Sequence, residues 1–118
     1  MSEQNILDLT ILAEAKETMK AKFATMVTYF LEDAENYISS IGDGIAANQV
    51  EKIVSPAHTL KSSSHQMGAI KMSETAKEME HIAREQSSAG KNDMQPFVEM
   101  LPKLKAVFIE TKAMILLQ

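Results

Sequence analysis

The chain has no cysteine, only four glycines and three prolines, and aromatic residues make up just 5% of it. The missing thiols exclude a disulfide framework, a cysteine nucleophile and any cysteine-ligated zinc or iron–sulfur centre, and they fit a reducing cytoplasm. So little glycine, proline and aromatic content argues against many short strands joined by tight turns and in favour of long helices. The longest uninterrupted apolar run, Ala113 to Leu117, falls far short of the roughly 20 residues a membrane span needs. The acidic start, with Glu3 and Asp8, is not that of a signal peptide, so a soluble protein is expected. No Gly-rich phosphate loop is present, which argues against an autonomous kinase. A net charge of −4 argues against a general nucleic-acid binder, because phosphate backbones are held by clustered Lys and Arg.

What is present suits one core. With 118 residues, 45% of them hydrophobic, the chain is long enough for a single domain over residues 1–118 and too short for two. Its charge is unevenly spread. Residues 1–50 hold three lysines against eight carboxylates, a net −5, whereas residues 52–77 hold four lysines against Glu74 alone, a net +3. A local positive field thus sits inside an acidic protein.

Apolar residues recur at helical spacing in four segments. Phe23, Val27, Phe30, Ala34, Tyr37 and Ile41 alternate steps of four and three, predicting a helix over about residues 16 to 41 that Gly42, Asp43 and Gly44 end. Ala46, Val50, Ile53, Ala57, Leu60, Ser64 and Met67 predict a second, closed by Gly68 in a left-handed conformation. Met72, Ala76, Met79 and Ala83 make a third that dissolves in the polar stretch at residues 87–93. Phe97, Leu101, Leu104, Phe108, Thr111 and Ile115 make a fourth, with Pro96 suited to its first turn. Short connections between helices of this seam predict an all-α, up-down-up-down four-helix bundle. The short apolar stretch from Ile6 to Leu12 predicts a small N-terminal helix capping one end. Pro56 and Pro102 each remove an amide donor inside a predicted helix, so a kink or a restart is expected at each.

The second segment carries the chemistry. On a helical wheel, Leu60 and Met67 lie opposite His58, so the imidazole points away from the core, while Val54, Lys61, Ser62 and His65 fall within about 60° of it. An imidazole offers a neutral, nucleophilic nitrogen at neutral pH. Lys61, one turn on, adds a cation on the same face. Ser62, Ser63 and Ser64 stand where a surface helix usually carries Glu, Lys or Gln, and small side chains let another molecule come close. Val54 is an apolar residue on that exposed face, a candidate docking contact. A histidine and a lysine at this spacing also occur by accident on ordinary helices. The small neighbours and Val54 are what favour a functional face.

The run Ala57-His58-Thr59-Leu60-Lys61-Ser62-Ser63-Ser64, followed by Met67-Gly68-Ala69, resembles the signature of histidine-containing phosphotransfer (HPt) domains of two-component phosphorelays. Phe30-Leu31-Glu32-Asp33-Ala34 and Met79-Glu80 also sit where such domains carry a Phe-rich second helix and an apolar-Glu pair. The resemblance implies a four-helix bundle with a short N-terminal helix. It implies that His58 is the phosphoacceptor, that Lys61 screens phosphate charge, and that Ser62, in place of the commonest Gly, keeps the small clearance position. Gln66 and Glu80 become candidates for contacts behind the histidine. The implied partners are receiver domains: a phosphoaspartate of a hybrid histidine kinase gives the phosphoryl group and a response regulator takes it, with Mg²⁺ bound on the receiver and no cofactor on this chain. A cytoplasmic, monomeric phosphoryl carrier without autokinase activity is expected, and Met1 favours a freestanding protein.

Two other readings compete. The first is a helical module that docks signalling partners without carrying phosphate. The second is a metal site recruited from His58, His65, His81 and nearby glutamates, although His58 and His65 are about 10 Å apart along a helix, too far to share an ion. The nine methionines suggest gap-filling core packing rather than a copper or calmodulin-like surface, because Met19, Met26, Met67, Met72, Met79 and Met114 fall mostly on or near the apolar stripes.

Overall fold

The computed structural model describes residues 6–118; Met1 and Glu3, on which the freestanding reading and part of the acidic start rest, lie outside them. Helix α1 spans Leu9–Met19, α2 Phe23–Ala46, α3 Glu51–Gln66, α4 Ile70–Ser88 and α5 Gln95–Ile115. Helices α2 to α5 form the bundle, each packed on its chain neighbours, with α5 closing against α2. A single cluster of buried side chains runs through it, including Phe30, Ile41, Ile53, Leu60, Met72, Met79, Phe97 and Leu104. Among the described residues, no helix is long and apolar enough to cross a membrane.

The N-terminal helix starts later and runs longer than the sequence implies. Asp8 caps it, its side chain accepting from the Thr10 and Ile11 amides at 3.0 and 3.2 Å, which satisfies two donors that the first turn leaves free. Leu7 and Leu12 are buried. The Asp8 amide donates to the Gly68 carbonyl at 2.7 Å, so α1 is fastened over the turn between α3 and α4. Gly68 adopts φ +73°, and a Cβ there would stand 2.7 Å from the Asp8 carbonyl oxygen. Both the left-handed conformation and the close approach demand glycine.

Two expectations are corrected, and of the kink or restart expected at each proline the restart does not occur. The helix predicted from residue 16 is broken: Lys20 takes φ 50°, a 3₁₀ turn covers Lys20–Lys22, and α2 begins at Phe23. Gly42, Asp43 and Gly44 do not end α2, which runs on to Ala46, so Ala46 belongs to α2 and is exposed. Gly44 serves packing instead, since a Cβ there would lie 3.1 Å from Ile53 Cγ1 and 3.3 Å from Lys52 Cβ, where α3 crosses close to α2. Neither proline forces a restart: Pro56 lies within α3 and Pro102 within α5. Among the methionines, Met67, Met72 and Met79 are buried and Met19 and Met114 partly so, but Met26 is exposed.

Candidate functional site

The α3–α4 seam is closed with small side chains. Ala57, Ala76 and Ala83 are fully buried, which lets the two backbones approach and brings polar groups on one helix within reach of the other. Ser73 on α4 donates its hydroxyl to the Lys61 carbonyl at 2.9 Å, tying the helices together where the candidate lysine leaves α3.

His58 projects from α3 with 52% of its side chain exposed. Behind it stands Glu80 of α4, whose side chain is only 7% exposed. The Glu80 carboxylate takes three donors. Lys61 Nζ lies 2.8 Å from Oε1, while Oε2 receives His58 Nδ1 at 2.9 Å and Arg84 Nε at 2.7 Å. Burial alone would push the Glu80 carboxyl up, but the hydrogen bonds from Lys61, Arg84 and His58 outweigh it and hold the carboxyl down at about 2. Glu80 is therefore ionised near neutral pH and can only accept. It follows that His58 Nδ1 carries a proton, so in the neutral ring the lone pair lies on Nε2. Nε2 has no hydrogen-bond partner among the described residues, and ring geometry turns it away from the carboxylate. Two cations against one carboxylate leave the cluster with an excess positive charge beside that nitrogen.

The other sequence candidates divide. Ser62 is exposed and lines a groove with Lys61, His65, Gln66, Ser73 and Lys77. Gln66 shares that groove, but its amide bonds none of His58, Lys61 and Glu80. Lys61 is less open than its wheel position implies, at 31% exposure, because it reaches across the seam to Glu80. Val54 is half-buried against the core and edges a second groove with Glu51, Arg84, Ser87 and Ser88. Among the described residues, no group of three or more His, Asp or Glu side chains is gathered to hold a metal ion. His81 instead faces Glu85 one turn along at 3.6 Å.

Sequence reading missed Arg84 and Ser73. Both left a signal. Glu80 and Arg84 stand at i, i+4 in the favourable acid-then-base order, and Ser73 and Glu80, seven residues apart, interrupt the buried stripe of α4 with polar groups that require partners.

Comparison with known proteins bears on the family and the fold. The family model of the Hpt domain matches residues 25–112. The chain belongs to the Hpt domain family. It is thus a histidine phosphotransfer carrier module of the kind that works with receiver domains in two-component phosphorelays. The fold is similar to that of histidine-containing phosphotransfer protein B from Pseudomonas aeruginosa, with a TM-score of 0.84 and 23% sequence identity over 92% of this chain and 90% of that one. No curated protein matches the chain in sequence. As an Hpt domain, this chain has a buried ionised carboxylate aligning an exposed imidazole.

Proposed function

We propose that His58 is the phosphoacceptor, loaded at Nε2 from the phosphoaspartate of a hybrid-kinase receiver domain and unloaded to a response regulator. The observation that carries this reading is the 2.9 Å bond from His58 Nδ1 to the Glu80 carboxylate. It fixes the tautomer, orients the ring and leaves Nε2 as an exposed nucleophile. Lys61 and Arg84 supply positive charge where a dianionic phosphoryl group arrives. Ser62 gives clearance for the receiver, Val54 adds an apolar contact at its edge, and Gln66 flanks the docking face. The chain acts as a single cytoplasmic, monomeric domain and needs no cofactor of its own. The Mg²⁺ that assists transfer belongs to the receiver.

Incubating the protein with phosphorylated receiver domains tests the assignment. His58→Gln is expected to abolish labelling with helicity unchanged. Label persisting in that variant, on His65 or His81, would refute it.

A further inference from the structure

A phosphoryl carrier must release its cargo as readily as it accepts it, and the Nδ1 proton decides how well a histidine does so. When Nε2 bonds phosphorus, the P–O bond of the donor aspartyl phosphate breaks and its electron pair leaves with the carboxylate. The ring now bears both Nδ1–H and the new N–P bond, and it carries a positive charge. On unloading, an acceptor carboxylate oxygen bonds phosphorus, the P–N bond breaks, and its pair returns to Nε2. With Nδ1–H in place the departing group is neutral imidazole. Without that proton it is an imidazolide anion, a far poorer leaving group.

We propose that Glu80 is a positioning residue that keeps the Nδ1 proton on His58 while Nε2 carries phosphate, so the phosphoryl group stays ready to leave. This rests on His58 being the phosphoacceptor, and it concerns release of the phosphoryl group rather than its loading. The charged ring needs a counter-ion, and Glu80 Oε2 already lies 2.9 Å from Nδ1 in a nearly closed seam. The carboxyl remains ionised because Lys61, Arg84 and His58 together hold it at about 2.

The groups that face His58 are few. From α3 comes Lys61; from α4 come Glu80 and Arg84. His65 and Lys77 lie along the groove on one side and Glu51 along the groove on the other. Lys61 and Arg84 draw on the same carboxylate and so oppose its hold on the proton. Their attachment differs, however. Lys61 bonds Oε1, the oxygen that His58 does not use, and its partly exposed chain can turn from Glu80 to phosphoryl oxygens. That exchange leaves Oε1 without Lys61 and concentrates the carboxylate's charge on the ring when the ring becomes cationic. The lysine thereby couples arrival of phosphate to retention of the proton.

The test uses the full chain phosphorylated with phosphoramidate. Phosphorus and ¹⁵N NMR locate the phosphate and track Nδ1 across the neutral and alkaline range, and phosphate lifetime is measured over the same pH series. Glu80→Gln keeps a carbonyl acceptor of the same shape and removes the charge. Loss of the Nδ1 proton, and the lengthening of lifetime that accompanies it, should occur about one pH unit or more higher in the wild type than in Glu80→Gln, the size of shift one adjacent opposite charge produces. Coincident profiles would overturn the proposal. So would a wild-type Nδ1 that titrates like a phosphohistidine in an unstructured peptide, a comparison that holds even if the variant does not fold. Absence of phosphate from His58 when other histidines are labelled would instead sink the parent assignment, and this one with it.

Discussion

The seam between α3 and α4 and the seam between α2 and α5 lie on opposite sides of one core and differ in chemistry. The first buries Ser64, Ser73 and Glu80 among alanines. On the second side, α2 and α5 contribute Phe30, Ile38, Ile41, Leu104 and Phe108 to the buried cluster. Large apolar side chains stabilise in proportion to the area they remove from water. Small and polar ones contribute little of that, but they let backbones approach and let a carboxylate on one helix grip a histidine on the next. The bundle therefore places its reactive group on the seam where small side chains let two helices pack most closely, while α3 and α4 still bury Ile53, Leu60, Met72 and Met79 in the shared core.

The largest expected effect tests that division. Phe97 on α5 is fully buried, and Phe97→Ala should cost about 3 to 5 kcal/mol, a large share of the roughly 5 to 15 kcal/mol available to a domain of this kind. In denaturant melts its midpoint should drop sharply, while the fraction still folded transfers phosphate at the normal rate. A folded Phe97→Ala protein with crippled transfer would show that the two regions are not separable.

Glu80 supplies the next test, through pH. Its carboxyl titrates at about 2 in the folded chain against an ordinary 4.5. Because the folded value is the lower one, the ionised group favours the fold: the contribution is whole above about pH 4.5 and is lost as pH falls through about 2. A shift of that size corresponds to at most about 3 kcal/mol. Urea melts of the wild type and Glu80→Gln should therefore diverge at neutral pH and converge as acid is added. A gap constant with pH would mean that the ion cluster adds nothing to stability. Lys61→Ala should show the reverse balance to Phe97→Ala, losing about 1 kcal/mol of stability while transfer slows by about 1 to 3 kcal/mol in barrier. Unchanged transfer in this variant would remove Lys61 from the site.

Much of this was legible in the sequence, and the misses share a cause. The alternation of steps of three and four located all four bundle helices, and the wheel turned His58 outward, because each depends on residues within one helix. Glu80 was reached only through the family resemblance, because it is 22 residues from His58 and a single-helix wheel does not say which neighbouring side chain reaches across a seam. Arg84 was hidden for the same reason, its role being set by Glu80's burial rather than by its own face. Gly44 was misread because a glycine that ends a helix and one that lets another helix approach look identical until the partner, Ile53, is in place. Lys20 gave no warning at all: nothing in its side chain favours φ 50°.

Ser64 provides the smallest and sharpest comparison, because it lies on the same helix as His58 and is buried like Glu80 but has none of Glu80's partners. Its side chain is fully buried, and its hydroxyl has no hydrogen-bond partner in the described structure. Such a group loses its bonds to water on folding and gains none in exchange. Ser64→Ala removes the hydroxyl, leaves a methyl that fits the same space, and replaces a weaker helix former with the strongest. The variant should be more stable by about 1 kcal/mol, read as a higher denaturant midpoint with unchanged slope. Its transfer rate should match the wild type, since the hydroxyl bonds none of His58, Lys61 and Glu80. A destabilised Ser64→Ala would mean that a water or a partner satisfies this oxygen. Slower transfer at unchanged stability would mean that the functional face extends through the helix to its buried side, and that polar burial in this seam serves phosphate chemistry beyond Glu80.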